Sequence, residues 1–187
     1  MNNSYSRVTE ILRTAGLIDF SGVPPDVLEA SRQFGSAVHK MIELWHENTL
    51  DEKSLDPNLV SYLNAWKCVW ADFIHVGSCA WTEKPLESKK HKFRGTPDAI
   101  LKIEDRFELF EIKTSARLET WVAIQTAGYE ILHNENYPKY KIHRRYGVRL
   151  CPEKSPPYEI KQYKDKSDLA GFLHCLYVCN LKKRMGI

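Results

Sequence analysis

Three side chains in the middle of the chain, Asp98, Glu111 and Lys113, have the types and spacing to share a divalent cation and to activate a water beside it. The run Phe107-Glu108-Leu109-Phe110-Glu111-Ile112-Lys113 is apolar apart from its charges. It reads as a central buried strand, where a carboxylate and an ammonium need a reason to be present. Alternation puts Glu111 and Lys113 on the face shared by Phe107 and Leu109, with Phe110 and Ile112 on the other. If Glu104-Asp105 is a two-residue turn, Asp98 falls directly opposite Glu111, with Cβ atoms about 4.5–5.5 Å apart. Two facing carboxylates repel, and a shared divalent cation or a proton on one of them relieves that repulsion. Lys113 supplies a positive group that can orient water or stabilise a phosphate in its transition state. A Glu–Lys pair alone is more often a structural ion pair, so the argument rests on the longer string around it.

Helices and strands must bring other polar groups to this point. Apolar residues recur at helical spacing from about Asp26 to Glu47, with Asp26 as a cap, and again over roughly Pro57 to Ile74. A short helix is expected between Ser6 and Gly16. Strand character follows at Cys79 to Leu86, Thr96 to Ile103 and Phe107 to Thr114, then a helix over about Arg117 to His133. Strands over Ile142 to Leu150 and Tyr158 to Tyr163 and a last helix over Ser167 to Lys182 complete the order. The pattern predicts one α/β (α+β) domain over residues 1–187, a central mixed sheet flanked by helices. Residues 1–78 form a mainly helical part carrying His39, and 79–187 form the sheet core.

On the first long helix His39, Glu43 and His46 share a face, with Gly35 one turn before His39. An interior helical glycine costs about 1 kcal/mol against alanine, so something is expected to approach closely there. On the later helix Gln125 and Tyr129, four residues apart, interrupt an apolar stripe, and both can hydrogen-bond a phosphate or a base edge. Each pattern in isolation is equally or more often ordinary: a surface histidine, a core tyrosine, a boundary glutamine.

Gly95-Thr96-Pro97-Asp98, twelve intervening residues and Glu111-Ile112-Lys113-Thr114 together resemble the PD-(D/E)XK nuclease signature. The G-x-x-x-H of Gly35 and His39, the Q-x-x-x-Y of Gln125 and Tyr129, and the opening Tyr5-Ser6-Arg7-Val8-Thr9-Glu10-Ile11-Leu12 resemble its RecB-like exonuclease branch. That branch includes phage-type recombination exonucleases, the Cas4 proteins and mitochondrial genome-maintenance exonucleases. The resemblance spans roughly residues 5 to 135 and implies a restriction-endonuclease-like core. It implies one or two Mg²⁺ or Mn²⁺ ions on His39, Asp98, Glu111 and the carbonyl of Ile112, with Lys113 assisting catalysis. It also implies Glu83 as a further acidic group, Gln125 and Tyr129 on the DNA strand, and DNA recombination, repair or replication as the setting, where a partner protein would act beside it. Rival readings are a nuclease fold that binds DNA without cutting it, a metal-dependent endonuclease, and a metal-dependent hydrolase of nucleotides.

Composition sets outer bounds. With 187 residues, 43% hydrophobic and 27% charged, the chain can bury one sizeable core and lacks the signature of disorder. A net charge of +3 permits a polyanionic partner without demanding one, and basic clusters at Lys89 to Arg94, Lys139 to Arg145 and Lys182 to Arg184 are candidate contacts. Five cysteines without a C-x-x-C pair suggest reduced thiols and a cytoplasmic setting. An iron–sulfur cluster is not expected, because no cysteine precedes His39 and Cys175-x-x-x-Cys179 suits a helix face. No window offers the ~18 apolar residues of a membrane span.

Overall fold

Strand β6 (Arg106–Lys113) is the axis on which the molecule is built, and its alternation creates two apolar layers in the computed structural model, which describes residues 5–75 and 77–187. Leu109 points into one layer with Ile100, and Phe110 and Ile112 point into the other with Ala99 and Leu101. β6 pairs antiparallel with β5 (Ala99–Ile103) through the turn Glu104-Asp105, in the register Ala99–Phe110 to Ile103–Arg106. Glu104 takes a left-handed φ of 55° in that turn. The expected two-residue turn and register are therefore present.

The main sheet runs in the order β2-β5-β6-β7-β8, with β2 at Ser78–Thr82, β7 at Ile142–Leu150 and β8 at Tyr158–Tyr163. β6 and β7 are parallel while the other neighbours are antiparallel, so the sheet is mixed. A parallel pair needs a long crossover, and helix α4 (Val122–Asn136) provides it. Helices α1 (Val8–Thr14), α4 and α5 (Ser167–Met185) cover one face of the sheet, while α2 (Pro25–His46) and α3 (Pro57–Val69) cover the other. Both layers consist of large side chains fully removed from water, among them Trp66, Phe110 and Phe172. No described helix is long and apolar enough to cross a membrane.

Several expectations need correction. The strand expected over Cys79 to Leu86 is two strands, β2 and β3 (Leu86–Ser88), and that expected from Thr96 begins only at Ala99, beyond Pro97, with an unexpected short strand β4 (Phe93–Gly95) before it. β3 and β4 join a two-residue strand β1 (Ser6–Arg7) in a small second sheet ordered β1-β4-β3. Pieces of two or three residues are too short to show a period. α4 begins at Val122, not Arg117, because the preceding segment is held elsewhere: the Ser115 carbonyl accepts from Arg149 Nε at 2.7 Å. The helix expected to run to Ile74 widens at Trp70 into a π-helical turn ending at His75 with φ 22°. Asp26 lies in the first turn of α2, where Pro25 fills the first helical position and Pro24 the cap.

Candidate active site

The break between β4 and β5 and the end of β6 bring four elements to one point. Proline at 97 ends strand pairing, which frees the Asp98 side chain to turn along the sheet. Asp98 Oδ2 accepts a 2.6 Å hydrogen bond from the Ile112 N–H, so the loop before β5 is tied to the residue between Glu111 and Lys113. Glu83 follows β2 in a left-handed conformation, φ 45°, and its N–H donates to the Asp98 carbonyl at 3.1 Å. α2 crosses above and delivers His39, whose Nδ1 lies 3.1 Å from Glu83 Oε1 and 3.2 Å from Asp98 Oδ1.

Among the described residues, His39, Glu83 and Asp98 offer donor atoms that all lie within 4.8 Å of one another. Glu111 stands beside them. It is 2% exposed, its Oε1 accepts from Lys113 Nζ at 2.7 Å, and its buried Oε2 has no partner among the described residues. His39 and Glu83 remain 24% and 27% exposed, so the cluster opens to solvent on that side. One imidazole, two converging carboxylates and an orphaned buried carboxylate oxygen are a donor set suited to a hard or borderline divalent cation.

The protonation of the cluster follows from burial and neighbours. Burial pushes the Glu111 carboxyl up and Asp98 adds to the rise; Lys113 offsets only part of it, and the group titrates at about 8. Burial alone would raise Asp98 too, but the charges of His39 and Lys113 and the Ile112 N–H hold it below its usual range. Burial works against the His39 imidazolium, yet Asp98 and Glu83 together hold its pKa well above normal. Glu83 is raised chiefly by its own burial. His39 and Lys113 thus offset the charge of the carboxylates around them.

Gln125 and Tyr129 sit on α4 behind this cluster, as the i, i+4 spacing requires, but both are buried. Gln125 Nε2 donates to the Tyr129 hydroxyl at 3.1 Å, and Gln125 Oε1 has no partner among the described residues. Burial raises the Tyr129 hydroxyl well above its ordinary value, and Glu111 and Asp98 add to that rise. Glu43 and His46 share the His39 face but not its role. Glu43 lines the cleft and pairs with Lys40, while His46 accepts from Trp66 Nε1 at 3.2 Å among three tryptophan rings.

Two clefts open on the cluster and another adjoins them. One of about 730 Å³ holds His39, Glu83 and Lys113 with Arg7, Arg32 and Lys40 on its walls. A second of about 500 Å³ shares Arg7 and Thr9 with it and reaches Arg94 and Tyr129. A third of about 540 Å³ shares Arg32, His39 and Lys113 and is lined by aromatic side chains. Of the cations that face these clefts, Lys113 and the basic run ending at Arg94 were legible in the sequence, whereas Arg7, Arg32 and Lys40 are scattered and were not singled out. Two of the basic clusters have structural partners instead: Arg145 pairs with Glu130 and Asp168, and Lys183 bonds Ser6 and Glu10.

No protein-family model matches the sequence, and no curated protein matches it. Solved structures do. A candidate exonuclease from Eubacterium rectale superposes with a TM-score of 0.55 at 14% identity, over 97% of this chain and 83% of that one. The chain shares the fold of that protein, a restriction-endonuclease-like α+β core. The structure of SSO0001 gives a TM-score of 0.49 at 14% identity, over 97% of this chain and 77% of that one. An alkaline exonuclease from Laribacter hongkongensis gives 0.41 at 12%, over 98% and 94%.

Proposed function

We propose that this protein is a metal-dependent deoxyribonuclease, an exonuclease acting in DNA recombination, repair or replication. The observation that carries the reading is the convergence of His39, Glu83 and Asp98 donor atoms within 4.8 Å, next to the Glu111–Lys113 pair, in an open basic cleft. His39, Asp98, Glu111 and the Ile112 carbonyl would hold one or two Mg²⁺ or Mn²⁺ ions, with Glu83 as a further acidic group. Bound there, such an ion polarises the phosphodiester and makes water a competent nucleophile near neutral pH.

The chain's own residues do the rest. Asp98, fixed by the Ile112 N–H, keeps its carboxylate aimed at the cluster and does not need to reorganise when a substrate arrives. The Lys113 ammonium, about one-fifth exposed, faces the cleft and can orient the attacking water and neutralise a phosphate oxygen. Arg7, Arg32 and Arg94 place positive charge along the joined clefts, where successive phosphates of one strand would lie. Tyr129 forms part of the wall of the second cleft, and Gln125 holds it there. Similarity to a candidate exonuclease favours attack from an end over internal cutting, at the level of fold analogy.

The deciding experiment uses 5′- and 3′-labelled linear DNA, single- and double-stranded, beside a closed circle, with Mg²⁺, Mn²⁺ or EDTA. Metal-dependent loss of linear DNA with the circle intact, abolished by Lys113→Ala, is the expected result and reads out polarity. Cutting of the circle would replace the exonuclease by an endonuclease. Wild-type protein that binds DNA but leaves it intact under every metal would make the fold a binding module.

A further inference from the structure

The third cleft differs from the other two in chemistry. Its floor and walls include Phe20, Phe34 and Trp121, with Val23 and Leu28, while its inner rim is made of Arg32, His39 and Lys113. Phe20 comes from the loop between α1 and α2, Phe34 from α2, and Trp121 caps α4, so three separate segments converge to make it. Phe34 is braced edge-on by Tyr62 at 5.0 Å between centroids. Trp121 stands against the active site itself: the Lys113 ammonium lies 5.5 Å from its ring centroid. Phe20, Val23 and Val27 are each exposed by a third or more, an unusual local density of apolar surface beside a cluster of charged groups.

We infer that this cleft is a nucleobase subsite, holding the base of the nucleotide next to the bond that is cut; the inference rests on the nuclease reading above. The occupant follows from the joined chemistry. A ligand that meets cations at one end and aromatic side chains at the other is an anion attached to an apolar or aromatic group, and the nucleotide is the one that the nuclease reading supplies. The shared residues Arg32, His39 and Lys113 make the two surfaces continuous, so a phosphate at Lys113 has its own nucleoside beside Trp121. Ser31 and Thr114 add hydroxyls at the walls that can meet the polar edge of a base. A base can enter only if it has left its partner, so the subsite favours an unpaired strand over a blunt duplex.

Binding in EDTA separates this subsite from catalysis. The probes are a fluorescent thymidine strand of about eight nucleotides, an abasic strand of the same length with the same phosphates, and a blunt hairpin. Wild-type protein is expected to hold the thymidine strand on the order of tenfold more tightly than the abasic one, as stacking of one base supplies. The hairpin should bind no better than the abasic strand. Trp121→Ala should bring the ratio of thymidine to abasic binding near one, and Trp121→Phe should restore most of it. Phe20→Ala, in an exposed loop where folding is not at stake, should lower the same ratio. A wild-type ratio near one with strand binding intact overturns the subsite and leaves the nuclease reading standing. A ratio unchanged in both alanine variants also overturns it. Failure of the wild type to bind any strand overturns the nucleic-acid reading and the subsite together.

Discussion

The carboxylate of Asp98 accepts a 2.6 Å hydrogen bond from the N–H of Ile112, and this contact joins the two halves of the site at the residue that separates Glu111 from Lys113. It gives Asp98 two duties, one to the backbone and one to the cluster, which substitutions can separate. Asp98→Asn keeps an oxygen for the Ile112 N–H but removes the anionic donor. Asp98→Ala removes both and leaves a buried N–H unsatisfied, at a cost of about 1–3 kcal/mol. In thermal unfolding, metal at about ten times its Kd should stabilise the wild type by ~1.4 kcal/mol, a rise of roughly 3–6 °C for a chain of this size. Asp98→Asn should fold normally yet show no rise with Mg²⁺ or Mn²⁺; Asp98→Ala should also melt lower without metal. A full metal response in Asp98→Asn would remove Asp98 from the site.

Lys113 donates to Glu111 at 2.7 Å and carries the positive charge of the proposed catalyst. Replacing Lys113 by Met keeps much of its aliphatic bulk against Trp121 and deletes the ammonium. Single-turnover cleavage under saturating metal should fall by about 10²–10³, the usual loss for one electrostatic group in a preorganised site. Metal affinity should change far less. A Lys113→Met rate within a few-fold of wild type would show that the lysine serves structure alone.

The sequence carried the hairpin, its register and the faces of β6 because strand alternation is local: Leu109 and Phe110 face opposite layers as their order dictates. The placement of Asp98 across from Glu111 was legible for the same reason, since Asp98 directly precedes β5 and a two-residue turn joins β5 to β6. Sequence could not show that Glu83 would lie 3.1 Å from His39, since that depends on how α2 crosses the sheet edge. The small sheet of β1, β4 and β3 was hidden by its brevity, and with it the alignment of Arg7 beside Arg94 on paired strands. Trp121 escaped notice because a tryptophan before an apolar helix reads as core; only the position of Lys113 gives it another meaning.

Gly35 and Gly128 are both helical, and the structure assigns them different reasons to lack a side chain. A Cβ at Gly128 would lie 2.6 Å from the ring of buried Phe172, so the glycine lets α4 and α5 pack closely. A Cβ at Gly35 would meet nothing nearer than Thr114 Oγ1 at 3.7 Å, and Gly35 lines both the basic and the aromatic cleft. Gly128→Ala should therefore destabilise by about 1–3 kcal/mol in urea unfolding. Gly35→Ala should stabilise by up to ~1 kcal/mol through helix propensity, while binding and cutting DNA less well. An active Gly35→Ala enzyme would mean that no substrate strand passes over that turn.

His46 lies seven residues beyond His39 on α2 but is half-buried against Trp66, and its chemistry is opposite to that of His39. Burial lowers its pKa to about 4, and its Nε2 accepts the Trp66 indole N–H, which requires the neutral ring. The unfolded chain binds a proton at this position near pH 6.5, where the folded protein does not. Stability from His46 is therefore complete above about pH 6.5 and is lost as pH falls toward 4, by at most about 3 kcal/mol. Urea unfolding of wild type and His46→Gln at pH 7.5, 6, 5 and 4.5 measures this directly. The variant should be less pH-sensitive over that interval whatever its absolute stability, since glutamine can accept from Trp66 but does not titrate there. Parallel profiles would show that His46 keeps an ordinary pKa and that water reaches it.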